Sequence, residues 1–544
     1  MTVAFVRQIG FQPGIQLNPL RDETDGFSAD NSDQKFCIAA KLNRGRIDKA
    51  FEVNRTNIRR KIGIAGTIRE NELNEAYIHI VEALNKGAFS AVIYRMNTEN
   101  AVLSYIILDY DDNGTIRFTV SEELPDTQFI MAIKHYECFN DGIRVSLHAN
   151  ALDNNAPNNE AHLELLDKDG DLLFEFDGSL DPNARDDYQE SAFLSDVVSN
   201  LTTRVEVIVG GSREITPASG AYGRDINGFL QSAISDTMIY FSEGGTGYTT
   251  QDYTRAKNAL EYTDLDYAYI SSGGSRAPAM FSQMSQLAFN TNRQFRWDIP
   301  GHYSVESALL FQRQLNLGNR NNAHLLHCFW SPIESNDPTG INGRGIYGAA
   351  TRNIAYSCLR NAQINAKGFA PKNYPSAGKN HPLDRTGIKQ LFTPTEWEKS
   401  DLAEAKINPV IYERYNGGGR YVYTDSLTMA LTRVSYRKLI AVADMSTTLD
   451  DRITRFAKEV LQLPMSESIR LMEDFLKFLF EGAEASDWLD PSTVKDDRLK
   501  QLGRAWEFLV KPDERRPSDR MHVEYGLHYV GTTRQIFVTQ TIKR

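Results

Sequence analysis

The chain has 544 residues, enough for about three or four domains and for a core that needs no disulfide or metal. Hydrophobic residues make up 41% and charged residues 24%, which excludes a disordered or fibrous chain. Its 71 acidic residues outnumber 60 basic ones, and the net charge of −11 argues against a general nucleic-acid binder.

Val3 to Gln12 is short and β-prone, and Arg21 to Asp33 is polar and poor in core residues, which predicts a linker. Phe36 to Leu42 reads as a buried strand. Leu73, Ala76, Tyr77, Ile80, Ala83 and Leu84 follow helical spacing, Gly87 stops the helix, and Ala91 to Tyr94 resumes as a strand. Strand, helix and strand begin an α/β layer.

From 101 to 230 short β-prone runs alternate with turn signals at Asn113-Gly114, Asp141-Gly142, Asp169-Gly170 and Asp177-Gly178, which predicts an all-β domain of hairpins. This stretch holds eight basic against 24 acidic residues, a net of −16, while residues 1–100, 231–400 and 401–544 carry +2, +3 and 0. After 230 the α/β texture returns, with strands at Thr237–Phe241 and Tyr267–Ile270 and helices at Thr250–Leu260 and Phe281–Ala288. The β region therefore reads as an insertion into one α/β domain.

Leu449, Ile453, Phe456, Ala457, Val460 and Leu461 form a helical stripe, with Thr447/Asp450 or Thr448/Asp451 as a capping box at its start. A second helix carries Ile469, Met472, Phe475, Leu476, Leu479 and Phe480. Lys511 to Arg520, with two prolines and seven charges, predicts a solvated linker. Beyond it Val523 to Tyr529 and Arg534 to Ile542 read as strands.

No signal peptide or membrane span is expected, and Cys37, Cys138, Cys328 and Cys358 lie too far apart for a Cys-x-x-Cys zinc site. They read as buried thiols of a chain made in a reducing cytoplasm. Asp109-x-Asp111-x-Asn113-Gly114 matches half of a calcium loop, but Val120 stands where a glutamate is needed, and a hairpin turn explains it. His324-x-x-His327-Cys328 has ligand types at neighbouring helical positions among Leu325, Leu326, Phe329 and Trp330, and reads as core. Gly244-Gly245-Thr246-Gly247 lacks the lysine of a phosphate loop, and Gly417-Gly418-Gly419 reads as a hairpin or loop. No catalytic residue, metal ligand or cofactor is expected.

The ends are the informative feature. Both are β-prone segments on polar linkers, and such strands pair either in the chain's own sheet or by addition to a neighbour's sheet edge.

Several stretches resemble tail sheath proteins of contractile-tailed bacteriophages (myoviruses). They are Ser32 to Gly45, Gly87 to Arg95, Tyr248 to Ala256, Lys367 to Pro375 with Gly378, and Ile407 to Val410 followed by Tyr421 to Thr428. The family's Arg-Thr pair is replaced here by Asp425-Ser426-Leu427-Thr428. The resemblance implies an α/β (α+β) multi-domain chain with strand-exchanging terminal arms. Residues 1–33 would be the N-terminal arm and linker, and 34–100 with 231–365 a discontinuous α/β domain. Residues 101–230 would be an outward-facing acidic β insertion, 366–510 the inner sheath domain, and 511–544 linker and C-terminal arm.

It also implies a structural role without enzymatic activity. Copies stack as hexameric rings in a helical sheath around a tail tube, with baseplate and tail terminator proteins as partners and no direct nucleic-acid or membrane contact. The sheath is assembled in the host cytoplasm and carried on the virion, and its contraction drives the tube through the host envelope for genome ejection. Val3, Phe5, Arg7, Ile9, Arg534, Ile536, Val538, Gln540 and Ile542 are then expected to exchange between subunits, and Arg452, Arg455 and Lys458 to face the tube. The sheath of a phage-like bacterial injection particle or tailocin is the alternative within this class. A cytoplasmic metal- or nucleotide-dependent enzyme is the alternative outside it.

Overall fold

The computed structural model describes residues 31–149, 159–211, 215, 230–490 and 505–540. An eight-stranded sheet organises the chain. In spatial order its strands are Phe51–Val53, Ser90–Arg95, Lys35–Ala40, Tyr269–Ser271, Gln294–Ile299, Leu326–Trp330, Ile407–Tyr415 and Gly418–Tyr423. The six inner strands run parallel and the two outer ones pair antiparallel.

A parallel sheet needs both faces covered, because its crossovers lay helices on them. Side chains therefore alternate between two cores. Phe36 and Ile38 enter one with helices Glu75–Lys86 and Ala350–Asn361, and Cys37 enters the other with helices Thr250–Glu261 and Pro278–Thr291. Gly87 ends the first of these helices at φ 141°, where a Cβ would stand 2.7 Å from the Ala355 carbonyl oxygen. Thr249 and Asp252 cap Thr250–Glu261 reciprocally.

Between Arg95 and Phe241 the chain leaves the carboxyl end of this sheet and builds two four-stranded antiparallel sheets. Ile106 and Ile133 from one and Val145, Leu163 and Phe176 from the other share a single core. The insertion is fastened to the body by arginines. Buried Arg95 donates to the Cys138 carbonyl and to Asn140 Oδ1 (2.5 Å), Arg44 stacks on Phe139 (4.2 Å), and Arg46 donates to the Thr203 carbonyl (2.8 Å).

Helices Ile440–Glu459 and Met465–Glu484 pack with a two-stranded hairpin, Trp506–Pro512 and Met521–Leu527, around Leu449, Met472, Leu476, Phe480, Trp488 and Trp506. Phe456 and Phe475 stack at 4.0 Å between the helices.

Several expectations are corrected. The helix expected near Thr447 starts at Ile440, because the Thr447 and Thr448 hydroxyls donate back to the Ala443 and Asp444 carbonyls (2.8 and 2.7 Å) instead of capping. Asp177-Gly178 is no turn; it lies inside strand Leu172–Ser179, where Gly178 lets the Leu194 backbone approach. The insertion contains a helix, Leu194–Leu201. Of Thr237–Phe241 only Phe241 belongs to a strand, Phe241–Ser242, since Met238 bridges to Ile143 while the Tyr240 carbonyl accepts from Ser104 N–H (2.9 Å). His327 and Cys328 lie on a strand, not a helix.

Lys511–Arg520 is no linker. It closes the hairpin, with Asp513 Oδ1 accepting from the N–H groups of Arg515 and Arg516 (2.9 and 2.8 Å). The sheet also runs across the division expected at 365, because Ile407–Tyr415 pairs in parallel with Leu326–Trp330.

Candidate functional site

Both ends of the described chain are tied to the helix Ile440–Glu459. At the N-terminal side Asp33 pairs with Lys372 (2.9 Å), and its carbonyl accepts from Asn361 (2.7 Å), beside a contact between Arg455 and Ser32 (3.5 Å). Val3, Phe5, Arg7 and Ile9 lie outside the described residues.

At the C-terminal side Tyr525 donates to Asp450 (2.5 Å), and Val530 N–H donates to the Trp488 carbonyl (3.0 Å). The chain then crosses to the end of strand Gly418–Tyr423, where Arg534 makes a bidentate pair with Asp425 (Nε to Oδ1, 2.9 Å). Beyond this clamp the described residues 535–540 form no strand. Ile536, Phe537 and Val538 stand 79, 90 and 88% exposed, Gln540 is also exposed, and Ile542 lies outside the described residues. Among the described residues no strand pairs with either outer edge of the Trp506–Pro512/Met521–Leu527 hairpin.

The expected basic stripe is divided. Arg452 turns inward, donating to the Gly368 carbonyl (2.5 Å) with its guanidinium over the Phe369 ring (4.5 Å). Arg455 pairs with Asp451 (3.0 Å) and Asp266 (3.6 Å), and Lys458 is exposed.

The same helix is locked to the sheet by a buried charge cluster that the sequence did not signal. Asp444 meets Arg360 at 2.7 Å and Arg296 at 3.4 Å, and accepts from the Tyr269 hydroxyl (3.3 Å). Burial alone would raise its pKa, but the two guanidinium groups win and hold it at about 2. Arg296 is also satisfied by the Asn353 carbonyl, Asn353 Oδ1 and Ser357.

The other motifs resolve into local structure. Asp111 Oδ1 accepts from the N–H groups of Asn113 and Thr115 (2.9 and 2.8 Å) at a hairpin tip. Burial pushes the His327 pKa down to about 3, so the ring is neutral. Gly244 and Gly245 have positive φ in a turn, and Gly417-Gly418 closes the hairpin of Ile407–Tyr415 and Gly418–Tyr423. Among the described residues no group of three or more His, Cys, Asp or Glu is placed to hold a metal ion, and no helix is long and apolar enough to cross a membrane.

No family model matches the chain, and no curated protein does. Solved structures do. The sheath tail protein of Desulfitobacterium hafniense is similar at 11% identity and a TM-score of 0.49, covering 95% of this chain and 100% of that one. The contracted baseplate of the anti-feeding prophage is similar at 10% identity and a TM-score of 0.48, over 98% and 99% of the two chains. The contracted PVC sheath complex of an extracellular contractile injection system is similar over 53% of this chain and 74% of that one, at 11% identity and a TM-score of 0.41. The structural neighbours are tail-sheath and injection-system proteins.

Proposed function

We propose that the chain is the structural subunit of a contractile tail sheath, which polymerises around an inner tube and contracts to drive that tube through an envelope. One observation carries this reading. Past the Arg534–Asp425 clamp the chain presents Ile536, Phe537 and Val538 almost fully to solvent, beside a body whose two-stranded hairpin has no strand paired to either outer edge among the described residues. A β-prone apolar strand left in water and an uncapped sheet edge are each aggregation hazards, and each satisfies the other between copies. The residue stretches that resemble the sheath family support the same conclusion.

In this reading Arg534 to Ile542 adds to a neighbour's sheet, and Val3 to Ile9 does the same at the other end. The acidic residues 101–230 face outward and 366–510 line the inside. The tube, baseplate and terminator proteins are the partners, and the mature location is the virion. Of Arg452, Arg455 and Lys458, the exposed Lys458 is the member of the basic stripe best placed to meet an acidic tube.

Electron microscopy of the purified full-length chain is the test. Long striated tubes are expected; discrete particles carrying bound metal or nucleotide would overturn the proposal in favour of an enzyme. Truncation after Thr533 should leave soluble monomers, and normal tubes from that variant would refute strand exchange by the C-terminal arm. Capsid genes beside this one would separate a phage from a bacterial injection particle.

A further inference from the structure

Positive charge gathers in one short stretch of the body. Residues 41–61 hold eight lysines and arginines against two acidic residues, a net of +6. Half of these cations are engaged within the chain. Lys41 pairs with Glu243 (3.8 Å), Arg44 with Asp141 (3.4 Å) and Arg46 with Asp48 (2.6 Å), and Lys61 donates to the Glu52 carbonyl (2.7 Å). Arg55, Arg59 and Arg60 are exposed, and among the described residues none of the three is in an ion pair. Their setting is ordered. Asn54 Oδ1 accepts from the N–H groups of Thr56 and Asn57 (both 3.1 Å), and Asn57 Oδ1 accepts from Asn54 N–H (2.9 Å). In the helix Ile58–Ile62 that follows, Ile62 enters the core and Ile58 packs against it, which turns Arg59 and Arg60 outward. Ile64, 56% exposed, stands beside them. Asp169 and Asp171 line the same cleft of about 710 Å³ as these two arginines, but no ion pair spans it.

The insertion carries the complement. Glu122, Glu123 and Asp126 follow strand Ile116–Ser121, the outer edge of one four-stranded sheet. All three are exposed, and among the described residues none is in an ion pair. This loop is also ordered, since the Ser121 hydroxyl donates to the Glu123 carbonyl (2.7 Å) and accepts from Glu123 N–H (3.3 Å). Between the carboxylates Leu124 is 38% exposed. Each patch is thus three unanswered like charges beside one exposed apolar side chain, and each suits burial against the opposite sign. Within a chain the two stand apart. Arg59 and Arg60 border the hairpin of Glu160–Asp167 and Leu172–Ser179, whereas the Glu122–Asp126 loop leaves the other four-stranded sheet.

Resting on the reading of the chain as a self-assembling sheath subunit, we propose that the Arg55–Arg60 segment of one copy receives the Glu122–Asp126 loop of a neighbouring copy. Arg55, Arg59 and Arg60 meet Glu122, Glu123 and Asp126, and Leu124 packs on Ile64. Both patches lie outside residues 366–510, so in that reading the contact sits away from the inner wall and on the side of the insertion. Two different patches meet, so the contact is heterologous and propagates from copy to copy rather than closing a pair.

The test uses Thr56→Cys and Thr127→Cys, both at exposed positions beside the charges, in the full-length chain, whose four native cysteines are all buried. A short bis-maleimide should link the double variant into a ladder of copies on a denaturing gel. A mixture of the two single variants should give dimers and no ladder, and neither single variant alone should be linked. Arg59→Glu with Arg60→Glu should slow association about tenfold or more at low salt. Adding Glu122→Arg and Glu123→Arg to that variant should restore it. Normal tubes without the 56–127 linkage would overturn this contact and leave the sheath reading standing, as would linked dimers from either single variant alone or no restoration by the second pair of reversals. A ladder without tubes would keep the contact and overturn the sheath reading. No association of any kind would overturn both.

Discussion

Asp444→Asn removes the carboxylate that the buried Arg296 and Arg360 share while keeping the side chain's shape. Breaking one partner of a buried ion pair costs about 3–5 kcal/mol, because an uncompensated charge stays in the interior. Arg296 keeps Asn353 and Ser357 as acceptors and Arg360 keeps the Tyr374 carbonyl (2.8 Å), which places the loss near the lower figure, about 3 kcal/mol. Acid reaches the same cluster independently. A carboxyl held at about 2 in the folded chain, against 3.8 ordinarily, contributes stability that is complete above about pH 4. That contribution, about 2 kcal/mol, is lost as the pH falls through about 2. Urea unfolding, read by hydrogen exchange in Ile440–Glu459, measures both effects on the full chain. Arg360→Met in the Asp444→Asn background should recover part of the loss, since the stranded charge goes with it. A loss under about 1 kcal/mol for Asp444→Asn, or no recovery in the double variant, would refute the cluster as the lock between helix and sheet.

His327 is buried neutral with its pKa pushed down to about 3, so the unfolded chain binds a proton that the folded chain refuses between about pH 6.5 and 3. Stability should fall with acidity over that window, and His327→Gln should flatten the slope by about 1.4 kcal/mol per pH unit in urea titrations at several pH values. Gly87→Ala sets a Cβ 2.7 Å from the Ala355 carbonyl oxygen at a φ of 141°, and should destabilise by about 2 kcal/mol or more in the same assay. Asp425→Ala releases Arg534 at a partly exposed site, so global stability should move by less than about 1 kcal/mol. Exchange of residues 531–534 should nonetheless speed up in the monomer, and unchanged exchange would deny that the clamp positions the arm.

The α/β body is legible because its helices and strands bury one face or alternate, and those periods survive in one dimension. Ala76, Ile80, Ala83 and Leu84 mark a helix without help, as do Met472, Leu476, Leu479 and Phe480. Where an element is buried all round, the period vanishes. Ile440 to Met445 is buried on every side, so the start of its helix carries no stripe, and Thr447 and Thr448 imitate a cap while bonding backwards. Thr237 to Phe241 has strand composition but spans two sheets, a position that composition does not encode. At the candidate site the apolar alternation of Ile536 and Val538 is visible in sequence. The Asp425 that clamps the arm lies 109 residues away from Arg534, and Asp444 lies 84 and 148 residues from its two arginines. No local pattern links such partners.

The same distinction governs how a net charge is read. The segments outside the insertion sum to +5, yet many of their arginines are spent internally. Arg296 and Arg360 neutralise Asp444, Arg385 pairs with Glu82, and Arg95 fastens the insertion, all buried. Inside the insertion the balance differs. Asp112, Glu122, Glu123, Asp126, Asp169, Asp171, Glu175, Asp187 and Glu190 are all exposed, so most of the −16 reaches solvent. The outward field of the chain is therefore more polarised than its composition suggests. A strongly acidic insertion stands at one end of the sheet, and exposed cations such as Arg59, Arg60, Arg320, Arg344, Lys389, Arg420 and Arg437 are spread over the rest of the surface. Interactions between exposed charges are screened within about 8 Å at physiological salt, whereas a buried pair is screened much less. The buried arginines thus hold the fold together across ionic conditions, and the exposed ones carry the salt-sensitive part of any association between copies.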